Sequence, residues 1–182
     1  MNKIKMLCVA ACSAALLFTG CQKDDDILAY EYTNQGFIKG TITGTTKDNS
    51  ALAETFNFTG LRSEDGPSTY TIDADGNYFF EISREDPNSG GIAFLSFQIE
   101  NANDNTPEPD ELGIQFVKET DKYFSFYIYE NSDNTYTITD FSFNATTGQV
   151  KGKYSISGTN NSTGKNASVT GEFDVIAKRF VD

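Results

Sequence analysis

Residues Tyr70-Thr71-Ile72-Asp73-Ala74-Asp75-Gly76-Asn77-Tyr78-Phe79-Phe80-Glu81-Ile82 read as a strand, a tight turn and a returning strand. Tyr70 and Ile72 stand two apart, as do Tyr78, Phe80 and Ile82, the spacing that puts apolar side chains on one face of a pleated strand. Between them, Asp and Asn tolerate turn conformations, and Gly76 supplies positive φ without a Cβ clash. The same period of two runs outward in both directions. Upstream it takes in Ile38, Gly40, Ile42 and Gly44, then Leu52, Phe56 and Phe58. Downstream it takes in Ala93, Leu95, Phe97 and Ile99, then Ile114 with Phe116, then Phe124, Phe126 and Ile128. Tyr136 and Ile138 open a strand whose parity shifts at Phe141 and Phe143, which predicts a β-bulge near Thr139 and Asp140. Val150 to Ser157 and Val169 to Ala177 close the series, and Asn101 to Glu111 reads as a polar loop with two prolines. About nine or ten short strands without helical periodicity predict an all-β fold: one antiparallel meander domain, its curled sheet a barrel or a sandwich.

Three strands repeat a local form: Ile38-Lys39-Gly40-Thr41-Ile42, Val150-Lys151-Gly152-Lys153-Tyr154 and Val169-Thr170-Gly171-Glu172-Phe173. Each glycine has the parity of its apolar neighbours and is expected to face the interior. A glycine inside a strand weakens it, so its recurrence predicts tight curvature or room for a large aromatic from the next strand.

The leading segment has a different composition. Lys3 and Lys5 precede the apolar run Met6 to Phe18, and Phe18-Thr19-Gly20-Cys21 ends in a small-residue cleavage site. The apolar run, about 13 residues, falls short of the ~20 that span a bilayer as a helix. Four small or apolar residues leading into a cysteine resemble the bacterial lipobox, in which Cys21 would be lipidated and hold the chain at a membrane. Lys23-Asp24-Asp25-Asp26 resembles the surface-export signal of Bacteroidota lipoproteins, which implies the outer membrane, facing the extracellular side. The expected organisation is a signal peptide over 1–20, a lipidated acidic tether over 21–32 and an all-β domain over 33–182.

Charge narrows the partners. The first twenty residues hold two of the 14 Lys and Arg and none of the 26 Asp and Glu, so residues 21–182 carry 12 cations against 26 anions, a net of −14. Nucleic acid and anionic lipid headgroups are poor partners for such a chain, because phosphate binding draws on clustered Lys and Arg, and no nucleic-acid partner is expected. Neutral glycans, basic peptides and divalent cations remain. Cys8 and Cys12 leave with the signal peptide and Cys21 is the anchor, so no disulfide is expected and the core must hold the fold alone.

The C-terminal run from Phe141-Ser142-Phe143 through Val150-Lys151-Gly152-Lys153-Tyr154 to Val169-Thr170-Gly171-Glu172-Phe173-Asp174-Val175 resembles the closing meander of small surface-exposed Bacteroidota lipoproteins of unknown function. The resemblance implies a lipid-anchored β domain and carries no catalytic residue with it. Turn spacing and Gly-x-aromatic strands are also similar to lipocalin- and avidin-like meander barrels, whose tryptophans this chain lacks.

The chain has no histidine, which removes His-based triads and His/Cys zinc sites. The expectation is therefore a non-enzyme without an organic cofactor, binding an extracellular glycan or peptide or an envelope protein. The alternatives are an accessory subunit of an outer-membrane or cell-surface assembly, and a carboxylate-dependent glycoside hydrolase. Two places are candidates for binding. Tyr123, Tyr127 and Tyr129 form an outward row opposite inward Phe124, Phe126 and Ile128, either covered on both faces or exposed as an aromatic platform. In the acidic loop, Asp104, Glu108, Asp110 and Glu111 are candidate calcium ligands beside Pro107 and Pro109.

Overall fold

The computed structural model describes residues 36–46, 48–61, 68–117, 123–128, 135–160 and 163–180, and of 116–117 and 123–128 the backbone alone. The chain divides into two units, Met1–Glu31 and Tyr32–Asp182, and every described residue lies in the second. Eleven strands are formed among the described residues: β1 Gly36–Thr45, β2 Ala51–Phe58, β3 Thr69–Ile72, β4 Tyr78–Asp86, β5 Gly91–Ile99, β6 Glu108–Val117, β7 Tyr123–Ile128, β8 Thr135–Asn144, β9 Gln149–Asn160, β10 Lys165–Ile176 and β11 Lys178–Arg179. They make two sheets, sheet I in the order β2-β1-β10-β9-β8 and sheet II in the order β11-β3-β4-β5-β6-β7. The fold is all-β and mostly antiparallel. It is a sandwich of two open sheets and not a closed barrel: β1 pairs along β10 from Gly36↔Val175 to Gly44↔Ala167, but among the described residues no ladder joins β2 to β3 or β7 to β8, where the meander passes from one sheet to the other.

Each segment expected to alternate is a strand, at the upper end of the nine or ten expected. The eleventh, Lys178–Arg179, is too short to alternate and pairs parallel with β3. One boundary is corrected: the segment expected as a loop to Glu111 becomes strand at Glu108. Among the described residues β7 pairs with β6 from Leu112↔Ile128 onward, and the first residues of β6 have no described neighbour on that side, the position in a sheet where Pro109 is tolerated.

Alternation sets the core. Along β5 every second residue from Gly91 to Ile99 is buried. Phe80 and Phe97 of sheet II meet the aromatics of sheet I: Phe80 lies 4.9 Å from Phe143 and 6.2 Å from Phe141, and Phe97 lies 5.9 Å from Phe173 between ring centroids. The sheets also join at a corner. Gly60 and Glu85 exchange backbone hydrogen bonds of 2.9 and 3.0 Å, and the Phe58 ring of β2 occupies the space above Gly91 of β5. Arg84 has the inward parity of β4 and is 1% exposed. Its guanidinium donates to Ser68 Oγ at 2.8 Å and to the Ser83 carbonyl at 2.6 Å, and burial lowers its pKa to about 10, so it remains charged at neutral pH. Ser68 in turn accepts the Lys178 N–H at its carbonyl, which ties β11 to the edge of sheet II.

The bulge expected near Thr139 and Asp140 is present: the β8–β9 register shifts between Thr139 and Ser142, and Asp140 has φ of 51°. The recurring glycines do make room for rings. Phe56, Gly40, Gly171 and Tyr154 stand in one row across β2, β1, β10 and β9. The Tyr154 ring crosses Gly171, and its hydroxyl reaches past Gly40 to donate to the Lys39 carbonyl at 3.1 Å. One row away, the Phe173 ring lies over Gly152.

The connections are built on aspartates. Asp73 accepts from the backbone N–H groups of Asp75 and Asn77 and from the Asn77 side chain, each at 2.9 Å. Side-chain hydrogen bonds from Thr46, Asn77 and Thr106 lead in holding Asp48, Asp73 and Asp104 below the usual 3.8, and backbone donation from Asn88 leads for Asp86. Their folded pKa values lie below the unfolded ones, so their contribution is present above pH ~4 and lost as pH falls through the folded values. We expect Tm to fall on acidification below pH ~4, and to fall less in the Asp48→Asn/Asp73→Asn/Asp104→Asn variant, since Asn keeps the turn geometry without titrating. Equal acid sensitivity in the two proteins, followed by circular dichroism, would remove these turns from the acid response.

Candidate functional site

The parity that buries one face of each sheet exposes the other, and the two exposed faces differ. On sheet I, Thr41, Thr43, Ser168, Thr170, Ser155, Ser157, Thr135 and Thr137 form two cross-strand rows of hydroxyls. They bond within the row, Thr43 to Ser168 at 2.8 Å and Thr135 to Ser157 at 2.8 Å. Charges on this face are paired: Lys39 with Glu172 at 2.7 Å, Lys151 with Asp174 at 3.2 Å and Lys153 with Asp140 at 2.7 Å. An open depression of ≈ 460 Å³ is lined by Thr43, Ser157, Ser168 and their neighbours. It offers mutually satisfied hydroxyls and backbone, without an aromatic or an unpaired charge in its lining.

Sheet II presents aromatic, amide and carboxylate groups. Its outward rows run Phe79, Gln98, Glu108; then Glu81, Ser96, Asp110; then Ser83, Phe94, Gly113; then Glu85, Ile92, Gln115, and the backbone register places Tyr127 and Ser125 of β7 opposite Gly113 and Gln115. Gly113 shapes the third row. A Cβ there would lie 1.9 Å from Cε1 and 2.6 Å from Cζ of Phe94, so the Phe94 ring lies across the glycine backbone towards β7. The large hydrophobics exposed among the described residues are Phe79 at 40% and Phe180 at 55%. Phe180 follows β11 and is held at this sheet by its N–H to the Tyr70 carbonyl at 2.8 Å.

The carboxylates are positioned one by one. Glu108 accepts from Gln98 Nε2 at 2.8 Å. Asp110 accepts from Ser96 Oγ at 3.2 Å, and the same Ser96 oxygen accepts the Glu111 N–H at 2.9 Å across the β5–β6 irregularity. Between β4 and β7 the described strands contain one cation, Arg84, and it faces inward. The outward face of these strands is therefore acidic.

Of the residues expected from sequence, Tyr123 and Tyr127 fall in β7, where the backbone register sets them opposite Val117 and Gly113. Tyr129 lies outside the described residues, as do Cys21, Lys23, Asp24, Asp25 and Asp26. Glu108 and Asp110 come to the strand next to β7, so the two candidate places belong to one sheet. The four acidic residues expected to share a calcium ion do not converge. Among the described residues no group of three or more Asp, Glu, His or Cys could hold a metal. Asp104 remains in the loop, accepting from the N–H groups of Glu100 and Thr106, while the extended backbone from Glu108 onward spreads the others along β6.

Phe94, Phe79 and Gly113 were not among the expected site residues. A signal existed: Ile92-Ala93-Phe94-Leu95 is apolar at both parities, as the Tyr123 to Ile128 segment is. No protein family, curated protein or solved structure was found to match the chain.

Proposed function

We propose that this chain is a lipoprotein anchored through Cys21 at the outer membrane, exposed to the extracellular side, whose β domain binds an extracellular glycan or peptide without catalysis. The binding surface is the outward face of sheet II. The observation that carries the reading is the Phe94 ring laid across Gly113 in the row that continues to Tyr127, with Phe79 exposed on the same face. Flat rings beside fixed amide and carboxylate groups suit stacking and hydrogen bonding to a sugar or an extended backbone. The lack of histidine in the chain favours binding over chemistry.

A thermal-shift screen of the full-length chain in mild detergent, against neutral oligosaccharides and short peptides, tests the reading. Ligand at 100 times its Kd raises Tm by roughly 5–10 °C in a domain of this size. Measured against each variant's own unliganded Tm, that shift disappears in Phe94→Ala and persists in Thr43→Ala on the opposite sheet. Turnover of a glycan by the purified chain, or a shift untouched by Phe94→Ala, contradicts the proposal.

A further inference from the structure

Resting on that surface, we infer that its ligand is an extended peptide carrying lysine or arginine side chains. The rows of sheet II alternate in chemistry. The row holding Glu81 and Asp110 lies between the row of Phe79 and the row of Phe94. Successive rows are separated by two residues along a strand, ~6.6–6.8 Å, which is also the repeat of alternate side chains in an extended peptide. A peptide lying along the strands therefore sets one side chain on an aromatic row and the next on a carboxylate row.

A cationic side chain serves both positions, over the face of a ring and beside a carboxylate. Among the described residues of β4 to β7 the outward face carries no cation, since Arg84 is buried on the other side; by register the row of Glu81 does reach a cation two strands away, Lys178 of β11, whereas Asp110 stands at the far end of that row. The opposite face of the sandwich already pairs Lys39, Lys151 and Lys153 with acids. Long-range charge acts in the same direction: 12 cations against 26 anions in residues 21–182 steer positive ligands towards the chain. A neutral sugar would stack on the rings and donate hydroxyl hydrogen bonds to Glu81 and Asp110, but would gain no charge attraction from them or from the acidic chain.

The test is a titration of the full-length chain in mild detergent with a labelled octapeptide of alternating Lys and Phe, followed by fluorescence anisotropy. Its Glu-Phe counterpart and a neutral hexasaccharide are run beside it. The Lys-Phe peptide binds and the Glu-Phe peptide does not. Affinity falls about fivefold in Glu81→Gln/Asp110→Asn, as expected for two exposed ion pairs, and is lost in Phe94→Ala. Glu172→Gln/Asp174→Asn removes the same two charges from sheet I and leaves affinity unchanged. An equal loss in that control, or equal binding of the Glu-Phe peptide, overturns the inference. A hexasaccharide that binds through Phe94 with no dependence on Glu81 and Asp110 overturns the peptide inference and leaves the proposed surface standing. No binding by any of the three overturns both.

Discussion

Replacing Phe80 by alanine lowers the unfolding free energy by about 3–5 kcal/mol, the largest loss expected from any single core truncation here. Phe80 is 1% exposed. Its ring centroid lies 5.1 Å from Phe97, 5.7 Å from Tyr70, 4.9 Å from Phe143 and 6.2 Å from Phe141, so it joins both sheets. The cavity left behind is walled by rings that stand on two separate backbones and cannot all close on it, which is the condition for a large cavity penalty. Phe79 is the internal control. It is adjacent in sequence, 40% exposed, and on the other face; Phe79→Ala costs less than about 1 kcal/mol. Urea unfolding of the two variants checks the register directly, because a slip of one residue would exchange the two results.

The second large effect comes from adding one methyl group. In Gly171→Ala the new Cβ would lie 2.2 Å from the Lys39 carbonyl oxygen and 2.5 Å from the Tyr154 ring and hydroxyl. The first obstacle is the backbone of β1 and cannot rotate away, so β1 and β10 must separate at the centre of their ladder. The expected cost is about 3 kcal/mol, the upper end of the overpacking range. Gly152→Ala meets mainly the Phe173 ring, at 2.6 Å, and costs less because a side chain can move. Combining it with Phe173→Leu restores part of the loss, so the double variant is more stable than the sum of the two single effects predicts. If Gly171→Ala were neutral, the glycines would serve curvature or chance and not the seating of Tyr154.

These positions also show what the sequence reveals. Gly40, Gly152 and Gly171 share parity with buried neighbours, and a side chain that is missing where the core should be is readable as space for another. The bulge at Asp140 is readable for the same reason, since a change of parity within one apolar run has no other extended explanation. Pairing order is not readable. Nothing local in β2 or β7 says whether it pairs with the strand that follows it or ends a sheet, and that choice separates a barrel from a sandwich. The beginning of β6 was hidden by Pro109, which argues against a strand except at an edge, and edges are a property of the assembled sheet.

The candidate site was legible in halves. The tyrosines of β7 and the acids of β6 are each visible in sequence, but their meeting on one sheet depends on β6 running between β5 and β7. Phe94 was obscured because β5 reads as a buried strand from its Ala93, Leu95, Phe97 and Ile99 face alone. The lie of its ring depends on Gly113, a residue on another strand with no side chain to announce it.

The most direct test of the central claim is to place a nitroxide on the bound Lys-Phe octapeptide and record paramagnetic broadening of amide signals from the full-length chain in detergent. Broadening centred on Phe79, Phe94, Gln98 and Gln115, with Thr43, Ser157 and Ser168 unaffected, is the predicted result. Broadening centred on the hydroxyl rows of sheet I, with sheet II silent, would contradict the assignment of the binding surface.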